Sequence, residues 1–261
     1  MASDGPGRRR ARRPPVDLRL SAPLGGERGI TERGALAGKI SETVPRPERT
    51  TVSHFPAGAF RRYDETPDEQ FYKTPRLVTH IDDRAIAAVT QLYREHFPAG
   101  GAILDLMSSW VSHLPPEVAY RRVAGLGMNE VELQNNPRLD EYVVQNLNEN
   151  PKLPFGDGEF DGMGICVSVD YLTDPVTVLR EAGRVLKVGA PIVITFSNRC
   201  FPDKAVAIWH QLDDQGHMRL VEGYLREAGN FADVRSLDRS PRRLFSDPLY
   251  AVIGESTGPA A

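Results

Sequence analysis

The chain has little of what would tie it to a membrane, a metal centre or an extracellular space. It holds only two cysteines in 261 residues, Cys166 and Cys200, set far apart. That spacing supports neither a disulfide framework nor a metal-ligand set, and it fits a reducing compartment. No run of about eighteen apolar residues occurs, so no membrane-spanning helix is expected. The first residues lack the apolar core of a signal peptide, and Asp4, Asp17, Glu27 and Glu32 do not suit an acid-poor transit peptide. The expected location is cytoplasmic. A formal net charge of -3 excludes a global case for nucleic-acid or membrane-surface binding.

The charge that is present is unevenly placed. Residues 1–50 carry eleven Lys+Arg against six Asp+Glu, a net +5, which leaves -8 on the remainder. Arg8-Arg9-Arg10 with Arg12-Arg13 forms a basic cluster in a stretch rich in Pro and Gly. The cluster could meet an acidic surface, but a solvated tail is the favoured reading, and residues 1–58 are expected to be disordered. Residues 59–256 are expected to form one domain, with 40% hydrophobic residues across the chain giving ample material for a core.

Within that domain strand and helix signals alternate. His80-Ile81-Asp82-Asp83 caps a helix from about Arg84 to His96. Ala102–Leu106 is a short buried strand after a Gly pair, and Ser108 and Ser109 read as the N-cap of a following helix. Arg122–Met128, Glu141–Leu147, Phe160–Ser168 and Pro191–Ser197 are further strands. Asp174-Pro175 opens a strong helix that Gly189 stops. After a helix around His217–Glu227, residues 232–237 and 248–253 read as two strands joined only by a loop. The pattern predicts an α/β fold: a mostly parallel sheet with helices on both faces and a terminal antiparallel strand pair. A strand running into a helix N-terminus builds a ligand crevice, because free N–H groups point into it. What is missing there is the glycine run that lets a cofactor approach the backbone.

Leu153-Pro154-Phe155-Gly156-Asp157-Gly158-Glu159-Phe160-Asp161, followed by Leu179-Arg180-Glu181-Ala182-Gly183-Arg184-Val185-Leu186-Lys187-Val188-Gly189, resembles class I S-adenosylmethionine-dependent methyltransferases, closest to a small-molecule subgroup that includes quinone-biosynthesis enzymes. The resemblance covers roughly residues 60–255. It implies a Rossmann-like methyltransferase fold with a seven-stranded sheet, whose last strand lies antiparallel between its neighbours. It also implies S-adenosyl-L-methionine as cofactor and a small-molecule acceptor as partner, at O, C or N. The motifs themselves are structural: Leu179, Val185 and Leu186 pack a helix, and Phe155 and Phe160 anchor a turn.

By the same resemblance Asp105 would position the methionyl amine. Met107, Ser108 and Ser109 stand where the glycine-rich loop belongs. Gly127 aligns with the acid that holds the ribose hydroxyls, with Met128 and Asn129 beside it. Asn146, Leu147 and Asn148 occupy the place of an adenine-binding Asp. Losing two carboxylates removes charge-assisted hydrogen bonds of about 1.5–3 kcal/mol each, so weaker cofactor binding is expected. Ser168 would face the transferred methyl, while Tyr72, His113, Tyr171 and Trp209 would line the acceptor side. Each has a plainer reading as well: N-caps for the serines, core filler for Met128, packing for the aromatics, a first-turn surface residue for His113. Asp213, Asp214 and His217 could suggest a metal cluster, but helix-start acids explain them better, and no metal is expected.

No catalytic residue is legible, which suits methyl transfer, where alignment and exclusion of water carry most of the rate. The alternative is a catalytically inactive protein of the same fold that binds a ligand or partner. A nicotinamide-dependent dehydrogenase is weaker still, since G-x-G-x-x-G is absent after the first strand. Neither the acceptor nor an oligomeric state is legible.

Overall fold

The computed structural model describes residues 9–10, 55–242 and 245–260. The tail expected over residues 1–58 therefore lies almost wholly outside the described residues. The elements are β1 (Arg9–Arg10), α1 (Asp68–Phe71), α2 (Asp83–His96), β2 (Ala102–Leu106), β3 (Arg122–Gly127), α3 (Glu130–Gln134) and β4 (Glu141–Val144). They continue with β5 (Gly162–Cys166), α4 (Pro175–Val185), β6 (Pro191–Phe196), α5 (Asp214–Ala228), β7 (Phe231–Asp238) and β8 (Tyr250–Ser256).

The sheet order is β1-β4-β3-β2-β5-β6-β8-β7. β4, β3, β2, β5 and β6 are mutually parallel. β8 lies antiparallel between β6 and β7, as expected for the terminal pair. The seven expected strands are all present, and the two-residue β1 adds an antiparallel edge contact against β4.

Side-chain alternation sorts the helices onto two faces. Val89, Leu92 and Tyr93 of α2 share a buried cluster with Ile103, Val123, Val193 and Ile253. Glu222 of α5 bonds Ser236, whose partner across the ladder is Val252, the neighbour of Ile253 that points the other way. α2 and α5 thus cover opposite faces. The central strands are buried almost throughout, which is why they read as continuous apolar runs rather than alternating ones.

Local signals explain the helix starts. Asp82 accepts from the N–H groups of Arg84 and Ala85, Asp174 from Thr177 and Asp213 from Gly216, each satisfying a donor that a helix start leaves free. Gly229, at φ 78°, closes α5 in a backbone conformation that costs glycine no Cβ clash.

One expectation is overturned. Ser108 and Ser109 cap no helix: residues 107–121 between β2 and β3 are irregular. The Ser108 hydroxyl turns back to Asp105 at 2.6 Å, and its N–H donates to Leu126 O at 2.7 Å. Pro115-Pro116 would deny a helix two donors in succession. The third expected strand is also shorter than its apolar run. It ends at Val144 because Asn146 accepts from the Asn148 N–H at 3.0 Å, an Asx turn that bends the chain.

Candidate functional site

The sheet reverses strand order between β2 and β5, and a ligand crevice forms outside the carboxyl ends of strands at such a point. A cavity of about 290 Å³ occupies that place. Its floor is made by strand ends: Met107, Ser108 and Ser109 after β2; Leu126 and Gly127 ending β3, then Met128 and Asn129; and Cys166, Val167 and Ser168 at β5. Gln145, Asn146, Leu147 and Asn148 follow β4 and close one end. The other wall comes from Asp68, Tyr72, Arg76 and His80 of the N-terminal segment, with Tyr171, Leu172, and Arg199 to Phe201 beyond β6.

The backbone is strained where it meets the cavity. Met107 has φ 60° and Val167 φ 44°. Positive φ is costly for a β-branched residue, and such strain clusters at ligand sites. Gly127 must be glycine: a Cβ there would lie 2.1 Å from the Ser108 carbonyl oxygen. The carboxylate expected at this place has no room.

Twelve of the fifteen residues singled out from sequence line this cavity, and three do not. Asp105 shares the α2 face with Ile103. Its buried carboxylate accepts from the hydroxyls of Ser108 and Ser112, both at 2.6 Å. Burial pushes its carboxyl up to about 6, against the pull of those two hydroxyls. His113 has φ 50° and lends its carbonyl to Thr90, and burial holds its imidazole down to about 4. Trp209 stacks on His217 with ring centroids 3.9 Å apart and meets Phe196 edge-on. Asp105 and Trp209 are thus engaged by buried neighbours, Ser108 and Ser112 for the one and Phe196 and His217 for the other.

The asparagines are also engaged. The Asn129 amide donates to Tyr72 O and its oxygen accepts from the Glu132 N–H. Asn148 donates to Asp68 and Tyr171 O and accepts from Thr173. Three polar atoms of the lining are instead buried with no partner: Arg76 Nη1, Gln145 Oε1 and Ser168 Oγ. Buried polar atoms without partners are rare, and in a cavity wall they point to a ligand.

Sequence reasoning missed Glu132, a buried carboxylate of the lining. It accepts from Ser109 Oγ at 2.6 Å and from the Arg76 N–H at 2.7 Å. The signal was present as Asn129-x-x-Glu132, a cap residue with an acid three positions on. Arg76, Arg199, Cys200 and Phe201 carry no spacing signal, since distant segments bring them together. Burial pushes the Cys166 thiol up to about 12 and raises that of Cys200, so neither is a ready nucleophile. No group of His, Cys, Asp and Glu suited to a metal ion occurs among the described residues.

The family model described as a methyltransferase domain matches residues 111–194, the segment from the loop after β2 to β6. The strand order, with its terminal antiparallel pair, is that of the Rossmann-like methyltransferase fold. Among solved structures the methyltransferase fold aligns with the [4+2]-cyclase SpnF at TM-score 0.51 and 16% identity, over 74% of this chain and 92% of that one. A complex of the Haloferax volcanii Trm112 methyltransferase activator and its partner aligns at TM-score 0.49 and 19% identity, over 69% and 91%. An S-adenosylmethionine-dependent methyltransferase from Mesorhizobium loti aligns at TM-score 0.47 and 15% identity, over 64% and 97%. No curated protein sequence matches the chain. No helix among the described residues is long and apolar enough to cross a membrane.

Proposed function

We propose that this protein transfers a methyl group from S-adenosylmethionine to a small-molecule acceptor in the cytoplasm. The observation that carries the reading is the cavity across the ends of β2, β3 and β5, with Gln145 Oε1 and Ser168 Oγ buried and unpartnered in its wall. The lining suits a nucleoside with a charged tail. Leu126, Met128, Leu147 and Leu172 offer apolar walls to a flat base. Glu132 is the carboxylate within reach of hydroxyls, taking the part that Gly127 has no space to play. The cofactor supplies an already activated methyl group when bound. The chain's share is to hold both molecules in line and exclude water, and Tyr72 and Tyr171 are the aromatic residues of the lining available for it. The two free thiols accord with a reducing compartment.

The test is calorimetric titration of the full chain with S-adenosylhomocysteine. Binding with a dissociation constant between about 1 μM and 1 mM is expected, and Glu132→Gln should weaken it about tenfold through loss of a charge-assisted bond. Absence of binding at millimolar ligand sinks the reading. The irregular segment after β2 favours a second one, a ligand-binding protein without methyl transfer, because it removes the helix N-terminus whose N–H groups would receive an anion. Binding of S-adenosylhomocysteine selects against a wholly repurposed site.

A further inference from the structure

One wall of the cavity is not made by strand ends. Phe71 meets Tyr72 and Phe201 edge-on, with centroids 5.0 and 5.3 Å apart, and Phe201 lies 5.9 Å from Tyr171. The Arg76 guanidinium lies on this aromatic surface, 4.5 Å from the Phe71 centroid and 5.2 Å from that of Phe201. Its Nη2 donates to Phe71 O at 3.0 Å. Its Nη1 is shielded from solvent and has no acceptor.

The carboxylates that share the cavity with it are committed elsewhere. Glu132 accepts from the backbone N–H of Arg76 and from Ser109, not from the guanidinium. Asp68 is held by Arg62 at 2.7 Å, Lys204 at 3.4 Å and Asn148 at 2.9 Å. His80, in contact with Phe201, is kept below its ordinary value by burial and adds a neutral ring. Arg199, also at the rim, is paired with Asp247 through Nε. Among the described residues no ion pair engages the Arg76 guanidinium. Ring faces attract its charge but accept its directional N–H bonds poorly, whereas a carboxylate matches the planar fork.

We propose that Arg76 is the anchor for a flat, carboxylate-bearing acceptor, seated against Phe201 and Tyr171 with its anionic group on Nη1. The assignment rests on the methyltransferase reading for what lies beside it. The nucleoside end of the cavity is formed by Gly127, Met128 and the residues after β4. The Arg76 backbone meets that end through Glu132, but its guanidinium extends away onto the aromatic wall, where an acceptor must sit. Nothing else in the lining offers an uncommitted cation shielded from water, so a neutral acceptor would leave this donor orphaned.

Phenylacetate and its neutral counterpart phenylacetamide are the probes, titrated by NMR into the full chain saturated with S-adenosylhomocysteine. Phenylacetate is expected to bind at least about tenfold tighter in the wild type, a difference that Arg76→Gln abolishes and Arg76→Lys only reduces. Affinity for S-adenosylhomocysteine should stay within about twofold in both variants. Equal binding of the two probes to the wild type overturns the proposal, whether or not the variants fold. So does a preference that survives in Arg76→Gln. Loss of S-adenosylhomocysteine binding in Arg76→Gln with 5′-methylthioadenosine binding retained assigns the carboxylate to the cofactor's tail, and the acceptor role falls. Should the wild type bind neither nucleoside, the methyltransferase reading fails alone. The two probes titrated into the free chain then decide the anion site by the same criterion.

Discussion

The two crossovers that leave the centre of the sheet differ, although the strands they leave are alike. After β5 the chain makes one turn at Val169–Tyr171 and enters α4, with Asp174 capping and Pro175 at its first turn. After β2 it runs through residues 107–121 with no helix at all. Both return to a parallel neighbour, which needs length but not a helix. The second half spends its polar side chains on starting a helix. The first half spends them on a buried knot, in which Ser108 and Ser112 both bond Asp105 and Asn136 bonds Ser112 at 2.8 Å. A crossover is therefore helical only where cap and apolar spacing agree, and a serine pair after a strand does not decide the matter.

The largest expected effect is at the close approach in the irregular half. Gly127→Ala places a Cβ against the backbone oxygen of Ser108, which cannot turn away, and should cost about 3 kcal/mol by urea unfolding. Gly183→Ala in α4 places its Cβ against the side chain of Asn230, the nearest atom at 2.3 Å. Displacing that buried amide gives up its bonds to Arg180 O and Gly258 O, but alanine favours the helix, so a somewhat smaller loss of about 2 kcal/mol is expected. Equal losses would show that the two crossovers are equally rigid.

Asp105 gives the next contrast, because its folded carboxyl lies above its unfolded value of 3.8, at about 6. The protonated form favours the fold. Stability from this group is full below about pH 4 and falls as pH rises through about 6, by about 2–3 kcal/mol in all. Asp105→Asn should remove that fall, leaving a variant-minus-wild-type difference that grows between pH 4 and 6 and is level above. Buried Asp170, pushed up to about 7, declines over a wider window in both proteins and cancels from the difference. A difference independent of pH would place the carboxylate in water.

In the helical half, Asp174→Ala should cost about 1 kcal/mol through loss of the α4 cap, read as a lower melting temperature. The smallest effect is at the sheet edge, where Arg9 pairs with Glu130 on the surface. Arg9→Ala should change stability by less than about 1 kcal/mol, and high salt should erase even that.

Much of the fold was legible because its signals are local. Asp82, Asp174 and Asp213 stand directly before apolar-periodic stretches. The strand runs are apolar enough to be buried on both faces. The place of the cavity was legible too, through the family resemblance, although the helix start expected after the first strand is absent. What each site residue does was not. Trp209 reads like a cavity residue by position, but it stacks on His217 instead. Asn129 and Asn148 look free in sequence and are bound to Tyr72, Asp68 and Thr173, groups distant along the chain.

By itself the sequence determined the alternation of strands and helices, the terminal antiparallel pair and the end of the sheet where a ligand would lie, because caps, turns and apolar periods act over a few residues. Only the tertiary structure decided that no helix follows β2, that Gly127 sits against Ser108, and that Glu132 and Arg76 enter the cavity. Those outcomes depend on which distant groups claim each hydrogen bond, and that competition is settled only once the chain is packed.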